Sequence, residues 1–153
     1  MKLDPKSKKE QGFMKLLLSV LGIAFFSFAA HADYTIQHAY NIQNLQSITG
    51  ADGAKMVSFT GSELGKDSRG NISKGMCLAT VKGQILSVDC EATDQDGDSV
   101  YSSLYRDMSK GPNGVRTVLG GTGKYANARE VCNYVVDLID VQLGIAVLSG
   151  ECK

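Results

Sequence analysis

Four cysteines are the residues of this chain with the clearest chemical potential. The spacings between them are 13, 42 and 20 residues. A structural zinc site usually needs two closely spaced pairs such as C-x2-C, which these spacings do not provide. An even number of cysteines in an exported chain normally forms disulfides, so we predict two disulfides and no metal site. The residues concerned are Cys77, Cys90, Cys132 and Cys152.

Hairpin geometry favours one of the three pairings of these cysteines. A two-residue turn at Lys82-Gly83 would make Cys77 and Cys90 diagonal neighbours on one face of a hairpin. A final hairpin centred on Gln142 would bring the last two cysteines together near the open end of its strands. We therefore predict that Cys77 pairs with Cys90 and Cys132 with Cys152, while the other two connectivities stay open.

The segment Asp94-Gln95-Asp96-Gly97-Asp98 places three carboxylates at alternate positions, an arrangement that could bind calcium. The register does not fit an EF-hand. With Gly97 as the sixth loop residue, the first and twelfth positions are Ala92 and Ser103, which carry no carboxylate. Asp-Gly between alternating apolar runs is typical of a hairpin, so we interpret Asp96 and Gly97 as a structural turn.

The glycine-rich segment Gly120 to Lys124 has only a superficial likeness to a phosphate-binding loop. That motif requires Gly at position 118 and Ser or Thr at position 125, where this chain has Val118 and Tyr125. We interpret the glycines as turn residues that permit positive φ, and we expect no nucleotide or other cofactor. The glycines are Gly120, Gly121 and Gly123.

The N-terminal 32 residues have the features of a cleavable signal peptide. Lys15 precedes an apolar run from Leu16 to Ala30, and Ala30-His31-Ala32 supplies the small residues of a cleavage site. A membrane anchor is the alternative, but it needs about 20 apolar residues. Met14 is an alternative translation start. We predict a mature chain that begins at Asp33 and is secreted or periplasmic.

Residues 33–153 are enough for one domain with a single core. This part has seven Lys and four Arg against fourteen acidic residues, a net charge of −3. Nucleic acids and anionic membranes are bound through clustered Lys and Arg. We therefore expect neither as a partner, and no membrane association after signal cleavage.

Short β-rich runs alternate with Gly, Asn and Asp along the mature part, which predicts strands joined by tight turns. The predicted strands are Tyr34 to Gln46, Lys55 to Glu63, Met76 to Val81, Gln84 to Glu91, Ser99 to Asp107, Val115 to Leu119, Val131 to Ile139 and Gly144 to Ser149. Longer connections are expected at Gly65 to Gly75 and at Gly120 to Ala128. The pattern predicts an all-β, antiparallel domain.

The segment from Gly120 to Arg129 resembles the G-G-T-G-[KR]-[FY]-x-G-[AI]-[RK]-G signature of the allene oxide cyclase and dirigent-like β-barrels. The order Cys, Gly turn, Cys, D-x-D-G-D and apolar strand is similar to that of small exported bacterial members of this group. The resemblance spans about Gly75 to Val131. Asn127 and Glu130 stand where the signature has glycines.

The resemblance implies a single eight-stranded antiparallel β-barrel, which agrees with the strand count. Such a barrel is either filled by side chains or holds one small ligand. Tyr101 and Tyr105 share one face of their predicted strand, opposite Val100 and Leu104. If the tyrosines face inward they would form a ligand pocket with apolar walls and polar tips; plain core packing is the alternative.

Catalytic residues are not identified by any motif. His38 is the only histidine after residue 32, and we expect a solvated strand residue. A polar set at a barrel mouth could act as acid and base, although exposed charges at strand ends are the ordinary case. That set is Arg106, Asp107, Arg116 and Glu130.

Three functions are therefore considered. The leading expectation is a noncatalytic exported barrel that binds a small apolar ligand or a protein partner. The first alternative is a cofactor-free isomerase or cyclase that acts inside the barrel. The second is a structural or inhibitor-like module that acts through loops such as Gly65 to Gly75.

Overall fold

The computed structural model describes residues 34–153, which form an all-β, closed barrel of eight antiparallel strands. This confirms the predicted fold class. The signal peptide and its cleavage site lie outside the described residues. The strands are β1 (Tyr34–Thr49), β2 (Lys55–Asp67), β3 (Ile72–Lys82), β4 (Ile85–Asp94), β5 (Ser99–Asp107), β6 (Asn113–Gly121), β7 (Val131–Asp140) and β8 (Ile145–Cys152). Two short 3₁₀ helices lie at Met108–Lys110 and Gly123–Tyr125.

The barrel closes because β1 pairs with the last strand as well as with β2. Tyr34 lies opposite Cys152, and Asn41 lies opposite Ile145. Closure satisfies the backbone groups that an open sheet would leave unpaired at its two edges. Among the described residues, no helix is long and apolar enough to cross a membrane.

Alternation along each strand separates the interior from the surface. On β5, Val100, Ser102 and Leu104 are buried, whereas Tyr101 is 41% and Tyr105 is 52% exposed. The tyrosines therefore face outward and do not form a pocket inside the barrel, contrary to the inward option. The reason is that the whole barrel fixes which face of β5 is internal, and the strand's own pattern does not.

Both predicted disulfides are present. Cys77 is bonded to Cys90 with their Cα atoms 4.1 Å apart, and Cys132 is bonded to Cys152 with a Cα separation of 3.9 Å. Each pair joins neighbouring strands on the inward face, where all four sulfurs belong to the main core cluster.

The predicted register of the β3–β4 hairpin is wrong by one residue. Lys82 pairs with Ile85, so the turn residues are Gly83 and Gln84, and Cys77 lies directly opposite Cys90. Gly83 has φ of +60°, which suits the first central position of a type II′ turn. The last hairpin has the predicted register near Cys132, with a bulge at Asp137.

The predicted connection from Gly65 to Gly75 is mostly strand. β2 continues to Asp67 and β3 begins at Ile72, so only residues 68–71 form the loop. A Cβ on Gly65 would lie 2.7 Å from His38 Cε1, and one on Gly75 would collide with the backbone of Ala92. These glycines allow close approach of neighbouring groups rather than a turn.

The loops form two ends of different character. The ends are defined by the antiparallel order of the strands: loops at 50–54, 83–84, 108–112 and 141–144 lie at one end, which we call the apolar end. Loops at 68–71, 95–98 and 122–130 lie at the other, which we call the polar end. The β1–β2 hairpin projects at the apolar end, because β1 pairs with β8 only as far as Asn41.

Candidate functional site

A group of polar side chains lies inside the barrel, on the inward faces of four strands. His38 and Glu63 are 5% and 4% exposed, and Ser102 and Arg116 are 3% and 6% exposed. His38 and Tyr40 belong to the same alternating face of β1, and Tyr40 pairs across the strands with Glu63. The strand period of two therefore brings these groups together in the interior.

His38 and Glu63 form a buried hydrogen-bonded pair, with His38 Nδ1 lying 2.7 Å from Glu63 Oε1. Burial acts to raise the pKa of Glu63, but the hydrogen bond and charge of His38, together with Arg116, outweigh it and lower that pKa. The ionised carboxylate can only accept, so the proton of this bond is carried by His38 Nδ1.

Gly65 supplies the room for this pair. Its missing Cβ would lie 2.8 Å from His38 Nδ1 and 2.8 Å from Ser73 Oγ. Such distances are shorter than van der Waals contact, so a side chain here would displace the imidazole.

Tyr40 carries a buried hydroxyl that has no hydrogen-bond partner in the described part of the chain. Its ring stacks on His38, with centroids 6.1 Å apart and an interplanar angle of 16°. Burial and then the negative charge of Glu63 raise the pKa of Tyr40 well above its ordinary value. The hydroxyl therefore keeps its proton and can donate a hydrogen bond.

An apolar cavity of about 90 Å³ adjoins Tyr40. Arg106 is the single charged residue in its lining, and its Nε donates to the carbonyl oxygen of Gly111 at 3.2 Å. Ile139 lines the cavity and is also 55% exposed, so the cavity can be reached from the apolar end. The remaining lining is mainly aliphatic and aromatic, including Ile42, Phe59, Leu86, Val88, Leu104, Tyr134, Val136, Ala146 and Leu148.

Exposed apolar side chains surround the same end of the barrel. The β1–β2 hairpin exposes Leu45 and Met56, and the β7–β8 loop exposes Val141 and Leu143, at 63% and 68%. An apolar approach of this kind is typical of a ligand or partner site.

At the polar end, ion pairs connect the loops to one another. Arg69 lies 3.0 Å from Asp67 and 3.3 Å from Glu130, and its guanidinium lies 3.5 Å from the centre of the Tyr34 ring. The Tyr34 hydroxyl donates to Glu130. These contacts tie the β2–β3 and β6–β7 loops to the start of β1.

Lys124 joins the third loop to this network. Its Nζ lies 2.7 Å from carboxylate oxygens of both Asp94 and Asp96 and 2.9 Å from Asn71 Oδ1. Burial acts to raise the pKa of Asp94, but hydrogen bonds from Lys124 and the backbone outweigh it and lower that pKa to about 2. An ammonium group thus lies among the oxygens that were considered for calcium.

The residues that the sequence predicts to form turns lie in three different elements of the structure. Asp96 and Gly97 lie in the loop between β4 and β5, where Gly97 has φ of +89°. Gly120 and Gly121 lie within β6, and Gly123 begins the second 3₁₀ helix. Gly120 and Gly123 both have positive φ, whereas Gly121 is required by close contact with Ser99.

The proposed acid and base set is brought together only in part. Arg106 and Asp107 lie at the apolar end, whereas Arg116 and Glu130 line one small cavity at the polar end. The expected solvent exposure of His38 is also wrong, because its strand face turns inward. Sequence reasoning missed Glu63 and Tyr40. Every second residue from Tyr34 to Tyr40 lies on one face of β1, and this alternation could have indicated that His38 and Tyr40 face the interior together.

Glu63 also approaches the first disulfide, with Oε2 lying 3.2 Å from Cys77 Sγ. Because this sulfur is bonded to Cys90, it is not a thiolate and cannot serve as an ordinary metal ligand. The cluster of Glu63, Cys77 and Cys90 therefore does not form a metal site.

The fold resembles solved dirigent protein structures. The pterocarpan synthase dirigent protein GePTS1 matches with a TM-score of 0.54 and 13% identity, over 85% of this chain and 92% of that protein. The pterocarpan synthase dirigent protein PsPTS1 matches with a TM-score of 0.52 and 10% identity, over 78% and 91%. No protein-family model and no curated protein sequence matches the chain. At these identities the likeness shows the fold, which is the dirigent-like eight-stranded barrel.

Proposed function

We propose that this protein is a noncatalytic barrel that binds a small apolar ligand in the cavity beside Tyr40. One observation carries the proposal: Tyr40, whose buried hydroxyl has no hydrogen-bond partner among residues 34–153, lines a cavity that is apolar apart from Arg106. An unsatisfied buried polar group costs about 1–3 kcal/mol. A ligand that brings an acceptor oxygen to Tyr40 would recover that free energy.

The ligand we infer is small and mainly apolar, with one hydrogen-bonding oxygen. A dry cavity of roughly 150 Å³ can hold benzene, so about 90 Å³ suits part of a single-ring molecule whose remainder lies in the accessible mouth. The structural neighbours are named as synthases of pterocarpans, which supports a role on small organic molecules for this type of barrel.

The protein is further proposed to act outside the cytoplasm, in a secreted or periplasmic form. Its two disulfides support this, because such bonds persist in oxidising compartments. The alternative to a small ligand is a protein partner that binds the apolar end. Such a partner would cover Leu45, Val141 and Leu143 and would not need the cavity.

A matched pair of probes tests the binding proposal. Toluene and 4-methylphenol differ by one hydroxyl, and we expect both to shift NMR resonances of cavity residues in the wild-type protein. Tyr40→Phe should weaken 4-methylphenol about fivefold, equivalent to about 1 kcal/mol, and leave toluene unchanged.

Two further variants control for indirect effects. Ala146→Leu places added volume in the cavity and should abolish binding of both probes, while Val147→Leu, on the opposite face of β8, should not. Absence of any probe binding, together with no retained small molecule in native mass spectra of protein from its host, would contradict the proposal.

A second candidate function is a cofactor-free acid and base catalyst, and the buried His38–Glu63 pair favours it. A carboxylate that orients Nδ1–H leaves Nε2 free to act as a base. Deuterium exchange at the α-carbon of cyclohexanone, followed by NMR in heavy water, provides an assay that does not require the natural substrate. Exchange that depends on the protein and disappears in His38→Gln would favour catalysis, whereas binding without exchange would favour the noncatalytic role.

A further inference from the structure

Arg116 is a buried cation in an unusual position, at the centre of the inward face of β6. Its side chain is 94% buried, since 6% of the residue is exposed. Nε donates to Ser102 Oγ at 3.3 Å, and Arg116 forms no salt bridge with a carboxylate of residues 34–153. A guanidinium has five N–H donors and stays charged in proteins, and the hydrogen bond to Ser102 uses one of them.

The acidic groups around Arg116 already have other partners. Glu63 accepts from His38 at 2.7 Å, and Glu130 accepts from Tyr34 and pairs with Arg69. Asp67 pairs with Arg69 and accepts from Asn71, so it too is engaged. Among residues 34–153 the positive charge of Arg116 therefore lacks a contacting counter-ion, although the charge of Glu63 attracts it.

A second cavity, distinct from the apolar one, lies beside Arg116 beneath the loops of the polar end. Its volume is about 40 Å³, and its charged lining residues are three cations, Arg116, Arg69 and Lys66, and two carboxylates, Asp67 and Glu130. His38 and Tyr34 line it as well. A water needs roughly 10–15 Å³ on this measure, so the space suits one small ion or very few waters. A buried charge is stable only when it is paired or hydrogen-bonded.

We propose that this cavity, which His38 also lines, is a binding site for a single halide-sized monovalent anion held by the Arg116 guanidinium. The anion neutralises a charge that has no contacting carboxylate in the described part of the chain. It would be enclosed by the Arg69, Tyr34 and Glu130 contacts of the polar end. This site is independent of the ligand proposed for the apolar cavity.

Bromide tests the site directly in the wild-type protein. Crystals soaked in sodium bromide should show an anomalous peak within hydrogen-bonding distance of the Arg116 guanidinium. Absence of that peak at high bromide, with water density in its place, would overturn the proposal.

Solution measurements provide a second, independent test. At equal ionic strength, thermal midpoints should be higher in sodium chloride or bromide than in sodium gluconate, whose anion is too large for about 40 Å³, and should rise with halide concentration. Arg116→Met should remove the difference between halide and gluconate. The exposed Arg129→Met is the matched control and should retain it.

The outcomes separate an occupied site from general salt effects. Equal midpoints in the three salts for the wild type, or an unchanged halide response in Arg116→Met, would each overturn the proposal. If Arg116→Met does not fold, Arg116→Lys retains the charge and should keep a weaker halide response, and the bromide crystals decide independently.

Discussion

At the scale of single residues, glycines decide whether the interior polar groups can exist. Gly65 lies under the imidazole of His38, and its lack of a side chain leaves space for the hydrogen bond to Glu63. In the sequence this glycine resembles the first residue of a loop between two strands. In the barrel it permits a close approach between neighbouring strands, which is a tertiary requirement.

Gly65→Ala should therefore destabilise the protein, by about 1–3 kcal/mol in urea unfolding, as overpacking does elsewhere. The reason is that its Cβ would lie 2.7–2.8 Å from two atoms of the His38 ring. A double-mutant cycle provides the control, because the same substitution should cost less in a His38→Ala background. Equal costs in the two backgrounds would contradict this explanation.

Asp94 should make stability depend on acid pH. Its pKa is about 2 in the folded protein and near 3.8 when unperturbed, so its stabilising effect is complete above about pH 4 and is lost as the pH falls towards 2. Urea unfolding measured across that window should show a flatter pH dependence for Asp94→Asn than for the wild type. Asp89→Asn, an exposed carboxylate on the outer face of β4, should behave like the wild type.

At the scale of elements, the strands are set by alternation and the hairpins by their turns. Strand ends differ from the predicted ones because β2 and β3 continue through Gly65 and Gly75. The one-residue shift at Gly83 changes the first disulfide from a diagonal to a directly opposed pair. Small errors of turn assignment therefore have exact consequences for which side chains meet across a sheet.

Each disulfide closes a hairpin and should contribute about 3 kcal/mol to the free energy of unfolding. We expect the double variants Cys77→Ala with Cys90→Ala, and Cys132→Ala with Cys152→Ala, each to lower the urea midpoint. A reductant breaks both bridges, so the midpoint of the reduced wild type should lie below that of either variant that keeps one bridge. The midpoint of a variant without cysteines should not change on reduction. Midpoints insensitive to both changes would show that the bridges do not support the fold.

At the scale of the whole molecule, closure gives the barrel two unlike ends. Ion pairs of Arg69 and Lys124 join the loops of the polar end, while aliphatic side chains surround the cavity at the other. An apolar ligand that enters from the apolar end would pass Ile139 and Ile42 before it reaches Tyr40. His38 lines the small cavity beside Arg116, and Tyr40, which stacks on His38, lines the apolar cavity.

Export and processing belong to this scale as well. When the full chain is produced in a host that exports it, the intact mass should correspond to residues 33–153 with four hydrogens missing. Alkylation without reductant should then add no mass, because all four cysteines are bonded. A product that retains residues 1–32, or that carries alkylated thiols, would contradict the signal-peptide or the disulfide prediction respectively.

The resemblance of Gly120 to Arg129 to a family signature implied the barrel class, and local patterns in the sequence were sufficient for the strand count, the antiparallel order and both disulfides. These depend on period-two alternation, turn residues and the positions of cysteines, all of which are local or nearly local properties. The inward face of β5, the burial of His38 and its pairing with Glu63 were decided only by tertiary structure. The residue pattern of a strand does not distinguish its two faces. The closure of β1 onto β8 determines which face is buried inside the barrel, and therefore which charged side chains must be paired there.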